Sequence, residues 1–176
     1  MLIDTLWLRR NLVFGMLFLL LATPFALAEE EKPAVLSGIM PNSPFYKLDL
    51  ALERFQLGLT FNKLAKAQKN LEQAEERLAE INDLQEEKLD KADLEELTAF
   101  ALSNRDEKLR NIEDINKGLS PEHRAFVLSK VSKHIDRLIA LKDSAKEGTK
   151  TGLSTAIASS NKVVERLREE AKSGKN

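Results

Sequence analysis

The sequence predicts an all-α fold, an antiparallel bundle of four or five amphipathic helices. Apolar residues recur at alternating steps of three and four through most of residues 44–172, which is the spacing of one face of a helix. Ser43-Pro44 and Ser120-Pro121 each provide a helix start, with serine as N-cap and proline in the first helical position. No stretch alternates between apolar and polar residues for long enough to predict a strand.

Residues 1–28 have the layout of a secretory signal peptide. Arg9 and Arg10 give a basic start, residues 12–23 form an almost wholly apolar run, and the segment closes on a small-x-small pattern that ends at Ala28. We expect cleavage after Ala28 and a mature protein that is exported to the periplasm or the extracellular space. The alternative is that the apolar run stays uncleaved as an N-terminal membrane anchor, for which it is near the lower limit of length.

Residues 29–43 predict an extended tether, because prolines and a glycine discourage a regular element there. A single helical domain over residues 44–172 follows. The apolar residues of its first helix form one seam at steps of three and four, made by Phe45, Leu48, Leu52, Phe55 and Leu59. Because this helix has the widest apolar face, we expect it to be central, with Phe55 in the core and Tyr46 facing outward.

Asn62 is the predicted N-cap of a second helix, in which apolar residues keep a heptad spacing. That spacing slips near residues 82–88, although no glycine or proline lies there. We expect a break around residues 89–93, because one continuous helix would leave its leucine seam uncovered. A third helix over about residues 94–116 would then follow.

Gly118 predicts the end of the third helix, and Ser120-Pro121 starts the fourth. Gly148 and Gly152 bracket either a short joint or the loose first turn of a fifth helix, whose apolar face begins at Leu153. Residues 173–176 form a polar tail.

Composition excludes two classes of function. The 27 basic residues interleave with 28 acidic ones, for a net charge of −1. Nucleic-acid binding requires a basic stripe that displaces counterions from phosphates, and this sequence has none. The chain also lacks cysteine, which excludes thiol chemistry and thiolate metal sites.

Histidines and acids give no catalytic or metal-binding pattern. His123 and His134 lie about 16 Å apart along one predicted helix, too far apart to bind the same metal ion. We expect both to be exposed or at an edge of the bundle, and we expect adjacent acids such as Glu75 and Glu76 to be solvated. We therefore predict no enzymatic activity, no metal site and no cofactor.

The best candidate for specific recognition is the block at the start of the first helix. Its structural interpretation is a stiff turn capped by serine; its functional interpretation is a partner surface made by Pro41, Asn42, Ser43, Pro44 and Tyr46, with the tyrosine offering a ring and a hydroxyl. A further alternative places the first helix on a membrane through Phe45, Tyr46, Phe55 and Phe61. Against this alternative, the helix lacks the Lys/Arg-rich polar face of interfacial helices.

Residues 38–46 read Gly-Ile-Met-Pro-Asn-Ser-Pro-Phe-Tyr, and residues 74–80 read Ala-Glu-Glu-Arg-Leu-Ala-Glu. With the Leu-Thr-Phe of residues 59–61, they resemble an uncharacterised family of exported bacterial and archaeal helical proteins. Members of that family open with a Gly-x-x-Pro-Asp-Ser-Pro block, and Asn42 stands where aspartate is usual. The resemblance implies a helical fold and export; because the family is a domain of unknown function, it implies no catalytic residue.

Two functional hypotheses remain from sequence alone. The leading one is a non-enzymatic exported module for protein–protein interaction or spacing, whose partner is another envelope or extracellular protein or a second copy of this chain. The alternative is an extracytoplasmic protein that binds a small ligand or a cation, or that acts like a chaperone. A deep apolar groove between the first two helices would favour the alternative, and a closed bundle would favour a spacer.

Overall fold

A computed structural model describes residues 38–173 of the chain. This part is an all-α bundle without strands, as predicted, and its helices are α1 (Tyr46–Leu59), α2 (Lys63–Glu86), α3 (Lys91–Asn116), α4 (Pro121–Ser144) and α5 (Glu147–Ser173). The predicted signal peptide, most of the tether and residues 174–176 lie outside the described residues. Within the described part, no helix is both long enough and apolar enough to cross a bilayer.

Helices α2 to α5 form the bundle, in which α2 and α5 each lie between α3 and α4. Short links at residues 87–90 and 145–146 make α2/α3 and α4/α5 antiparallel pairs. Ion pairs join Glu113 to Arg166 and Glu75 to Arg137, which places α3 beside α5 and α2 beside α4 in the same direction. Helix α1 packs on the outside of α2. The expectation that α1 is the central helix is therefore wrong.

The predicted helix starts are largely confirmed. Oδ1 of Asn62 accepts a hydrogen bond from the Ala65 amide (2.9 Å), and Pro121 is the first residue of α4. The predicted break between the second and third helices is also confirmed, since α2 ends at Glu86 and α3 begins at Lys91. Asp90 caps α3 there, and this cap lets the helix begin earlier than the apolar spacing indicated.

Two predicted boundaries differ from the structure. Helix α1 begins at Tyr46, because Ser43 uses its hydroxyl to accept from the Phe45 amide (3.2 Å) in the preceding turn. Helix α5 begins at Glu147, so the segment from Gly148 to Gly152 is the first part of the helix and not a joint. Gly152 serves packing there: a Cβ at this position would lie 3.2 Å from a Leu102 methyl, so glycine lets α5 approach α3 closely.

The core consists of two apolar clusters along the bundle. One is built around Leu109, Ile112, Val131 and Leu167, and the other around Ile81, Leu102, Leu138 and Leu153. Between the two apolar clusters, each of the helices α2, α3, α4 and α5 contributes a largely buried polar side chain at about the same level of the bundle. Because polar groups must find polar partners when buried, such a layer restricts how the helices can slide.

The face that α1 turns inward is the opposite of the predicted one. Tyr46 is only 1 % exposed, whereas Phe55, expected in the core, is 65 % exposed. The inward residues of α1 are Tyr46, Leu50, Glu53 and Leu57. Apolar content alone predicted the wrong face, because Tyr46 and Glu53 are polar groups that have buried partners on α2 and α3.

Candidate functional site

The predicted partner surface is divided between the interior and the solvent. Its buried members are Pro41 and Tyr46, and its exposed or half-buried members are Asn42, Ser43 and Pro44. Nδ2 of Asn42 donates to a carboxylate oxygen of Glu87 over 2.7 Å, which ties the turn to the end of α2. Because Tyr46 is buried, the expectation that its ring faces outward is wrong.

Tyr46 belongs to a buried group of five side chains, here named the Tyr46 cluster: Tyr46, Glu53, Arg77, Glu80 and Lys108. The tyrosine hydroxyl donates to Oε2 of Glu80 over 2.8 Å and accepts from Nη1 of Arg77 over 2.7 Å. The guanidinium also lies 5.3 Å from the centre of the tyrosine ring, within the range of a cation–π contact. The hydroxyl is therefore satisfied as both donor and acceptor.

Glu53 connects α1 to two helices of the bundle. One of its carboxylate oxygens accepts from Nη2 of Arg77 on α2, and the other lies 3.0 Å from Nζ of Lys108 on α3. All three side chains are nearly inaccessible to solvent. Removing one member of such a buried pair leaves an uncompensated charge, so these contacts fix the rotation of α1 about its own axis.

Acids outnumber bases in and around the Tyr46 cluster. Asp49 and Glu76 lie 3.9 and 3.6 Å from Arg77, in addition to Glu53 and Glu80. Burial raises the pKa of Glu80 to about 7, although Arg77 and the Tyr46 hydroxyl favour its ionised form. Burial, followed by the charge of Glu80, also raises the pKa of Tyr46 above its ordinary value. The tyrosine therefore stays protonated and remains a donor.

The opposite face of α1 and the residues at its two ends carry exposed apolar side chains, here named the apolar stripe: Phe45 at the N-cap, Leu48, Leu52, Phe55 and Leu59 on the helix, and Phe61 just beyond it. These six side chains are 52–90 % exposed. Together they present on the order of 700 Å² of apolar surface, estimated from the area of a Phe or Leu side chain. This exceeds the largest apolar patch of a typical monomer, about 300–600 Å².

Few charges surround the apolar stripe. The acids of α1, Asp49 and Glu53, point toward Arg77, and the exposed charged residues of the helix are Lys47 and Arg54. Nη2 of Arg54 donates to Glu107 on α3 over 3.1 Å. The stripe is thus suited to contact with another apolar surface and offers little for a polar ligand.

A second polar group, here named the Arg105 layer, lies between the two core clusters and consists of Glu75, Arg105, His134 and Ser160. Nε of Arg105 donates to Nε2 of His134 over 2.9 Å, while Nδ1 of His134 lies 3.3 Å from Glu75. Since a guanidinium only donates, Nε2 must be unprotonated and the imidazole neutral. Burial lowers the pKa of His134, in agreement with that state.

The two histidines occupy different environments. His123 is exposed, as expected, but His134 is fully buried, so the expectation that it lies exposed or at an edge is wrong. Glu75 is also mostly buried, with a side chain 12 % exposed, because His134 and Arg137 engage its carboxylate. Among residues 38–173, no group of three or more His, Cys, Asp or Glu side chains has a geometry that could hold a metal ion.

Sequence reasoning missed the Tyr46 cluster, although a signal for it exists. Tyr46, Leu50, Glu53 and Leu57 recur at steps of four, three and four, which is as regular as the spacing of the apolar stripe. A lone acid on such a face indicates a buried ion pair when basic residues occupy the inward positions of neighbouring helices. Arg77 and Lys108 provide those bases, but helical periodicity alone does not identify them as neighbours.

Comparison with known protein families identifies a match over the described residues. The model of a protein family described as "Domain of unknown function (DUF5667)" matches residues 38–173, which is the whole of the described bundle including α1. Searches of curated proteins and of solved structures found no significant match.

Proposed function

The chain belongs to the DUF5667 family, and from this premise we propose that it is a non-enzymatic, exported helical module that binds another protein outside the cytoplasmic membrane. Its binding surface is the apolar stripe of α1. The observation that carries the proposal is the exposure of Phe55 (65 %) and Leu52 (52 %) in the middle of a regular helix, where a monomer would ordinarily place polar residues.

The packing of α1 supports this use of the stripe. A helix that bound the bundle only through apolar contacts could rotate to bury its more apolar face. The ion pairs of Glu53 with Arg77 and Lys108 hold it in the other orientation, with the stripe outward. The surface is therefore held ready for a partner, which reduces the entropy lost on binding.

The small-ligand alternative has less support. The recess between α1, α2 and α3 is open to solvent and is rimmed by charged and amide side chains such as Arg54, Glu107 and Asn111. It is not the deep apolar groove that a ligand cradle between the first two helices would require. Buried ionisable groups such as Glu80 and His134 have partners inside the protein, Tyr46 and Arg105 respectively.

Export rests on residues 1–28, whose basic start, apolar run and small-x-small ending favour a cleaved signal peptide. A surface of this apolarity also needs a partner in its own compartment, because an uncovered patch promotes aggregation. A spacing role is compatible with the same surface: the protein would bind its partner through the apolar stripe, and the length of the bundle would set the distance at which the partner is held.

In vivo photo-crosslinking tests the proposal. A photoreactive phenylalanine analogue replaces Phe55 in the stripe or, as a control, Ser129 on an exposed position of α4 in cells that export the protein. We expect a protein adduct from position 55 and none from position 129, and we expect the position-55 adduct to disappear when Leu52→Glu is added. Absence of any protein adduct at position 55 would overturn the proposal.

A further inference from the structure

We propose that the partner of the apolar stripe is a second copy of this chain, paired antiparallel about a two-fold axis at Leu52. This inference rests on the proposed function, since it takes the stripe to be the binding surface and then names what covers it. The spacing of the stripe, its area and the residues beside it all favour such a pair.

The spacing makes the stripe complementary to itself. Leu52 is its midpoint, with Leu48 and Phe55 about one turn away and Phe45 and Leu59 about two turns away on either side. In an antiparallel pair, Phe45 faces Leu59 of the second copy and Leu48 faces Phe55. Each layer beyond the axis then joins one aromatic and one aliphatic side chain, so the layers have similar volumes. Self-complementarity of this kind is what an isologous two-fold interface requires.

The area lies at the lower end for a specific dimer. A standard interface buries about 800 Å² on each partner; the five stripe side chains that pair across the axis offer on the order of 500 Å² of apolar surface, and their flanking residues add to it. Steps of three and four are also those of a coiled-coil seam, in which side chains of one helix pack between those of the other.

The residues beside the stripe allow two copies to approach. Gln56 and Ala51 flank it and carry no charge, and Gly58 is exposed with no atom within 4 Å of a Cβ placed there. Lys47 and Arg54 lie about 140° and 160° around the helix from Leu52, at about 100° per residue. No like charges therefore meet across the two-fold axis. A bilayer surface would instead favour a basic rim close to the apolar face, which α1 does not have.

Cysteine crosslinking tests the arrangement, because the chain contains no cysteine of its own. The protein is purified from an exporting host with single substitutions Leu52→Cys, Leu48→Cys, Phe55→Cys and, as the exposed control, Ser129→Cys. At the two-fold axis Leu52→Cys should oxidise to a disulfide dimer, since its partner lies within the short Cβ separation that a disulfide needs. An equimolar mixture of Leu48→Cys and Phe55→Cys should form the mixed dimer faster than either forms a dimer alone. If each single-cysteine variant of the stripe instead forms a disulfide dimer with itself at the same rate, the pair is parallel and the antiparallel arrangement is overturned.

Sedimentation velocity gives the matching measurement without crosslinks. We expect the wild-type protein to form dimers as its concentration rises. Leu52→Glu should raise the dissociation constant of the dimer by roughly 100-fold or more, because Leu52 lies at the centre of the interface. Ser129→Glu should behave as the wild type does. Circular dichroism of Leu52→Glu should remain helical.

The outcomes separate this inference from the proposed function. A wild-type protein that stays monomeric at about 100 μM, well above the dissociation constants of most specific complexes, overturns the second copy as partner. If position 55 then crosslinks in cells to a different protein, the proposed function stands although the partner is not a second copy of this chain. If the monomer binds vesicles of anionic phospholipid through Leu52 and gives no protein adduct, both proposals fail and the stripe is a membrane-binding surface.

Discussion

Tyr46 shows how one polar atom can decide which face of a helix is buried. Its hydroxyl donates to Glu80 and accepts from Arg77, and its ring packs 5.5 Å from that of Phe100 on α3. Those contacts replace the water that the hydroxyl would otherwise bind, so burial costs little. Phe55 has a larger apolar gain to offer, but the surface beneath the middle of α1 holds the charged groups of Arg77 and Lys108, which Glu53 contacts instead.

The first prediction compares these two residues. Tyr46→Ala should lower the free energy of unfolding by about 3–5 kcal/mol, because it empties a buried aromatic site. Phe55→Ala should change it by less than about 0.5 kcal/mol, as for other surface positions. Both variants are measured by urea unfolding in the Leu52→Glu background, so that self-association does not contribute. Tyr46→Phe, which removes only the hydroxyl, should cost about 1–3 kcal/mol. A large loss for Phe55→Ala in the monomer would contradict the orientation of α1.

The second prediction concerns the pH dependence of stability through Glu80. Its pKa is raised from 4.5 to about 7 in the folded protein. Between those values the folded state binds the proton more tightly than the unfolded state, so this group makes stability fall as the pH rises through that window. The loss should be about 3–4 kcal/mol in total, since the pKa differs by about 2.5 units at about 1.4 kcal/mol per unit. Glu80→Gln, which cannot ionise, should remove that decline.

The measurement is the difference in unfolding free energy between wild type and Glu80→Gln from pH 4 to pH 8. His134 acts in the opposite direction, because its lowered pKa makes stability rise with pH toward its ordinary value, but it is present in both proteins and cancels in the difference. Glu86→Gln, an exposed acid at the end of α2, is the control and should show no such trend. A pH-independent difference for Glu80→Gln would contradict the raised pKa.

At the scale of elements, sequence reasoning located helices well and their orientations poorly. Asn62 and Ser120 carry recognisable caps, and those helices begin where the caps predict. Capping is a local interaction between residues three apart, so a sequence displays it directly. The rotation of α1, by contrast, depends on Glu53 meeting Arg77 and Lys108, which are distant in sequence. No local pattern states which helices are neighbours.

The third prediction uses the glycine in the last turn of α1. Gly58 has an ordinary helical backbone with no positive φ, and a Cβ there would meet no atom within 4 Å. Gly58→Ala should therefore stabilise the protein by about 0.5–1 kcal/mol, by reducing the freedom of the unfolded chain. The matched control is Gly152→Ala in α5, where the added methyl would lie 3.2 Å from Leu102 and should give less stabilisation or a loss. Equal gains at both positions in urea unfolding would contradict this account.

At the scale of the whole molecule, the apolar periodicity predicted a bundle but not its packing order. The periodic residues of α2 to α5 do fill two core clusters, because each helix has a single apolar face to bury. Their arrangement, with α2 beside α4 and α3 beside α5 in parallel, is accompanied by buried polar contacts: Arg105 donates to Ser160 and to His134, and His134 lies beside Glu75. A lone histidine and a lone arginine on separate helices give no sequence signal that they meet. The outward orientation predicted for Tyr46 in the partner block is wrong for the same reason, because contacts with Glu80 and Arg77 on α2 hold this side chain inside.

The last prediction concerns the full chain and the proposed export. Cleavage of the predicted signal peptide after Ala28 would leave a mature protein that begins at Glu29, and it would release the bundle from the membrane with the apolar stripe available to a partner. Intact-mass measurement and N-terminal sequencing of the exported protein should show that start, with the protein in the soluble envelope fraction. Ala28→Arg, which places a large charged residue at the cleavage position, should yield full-length protein in the membrane fraction instead. Wild-type protein recovered full-length in the membrane fraction would contradict cleavage, and residues 12–28 would then act as a membrane anchor.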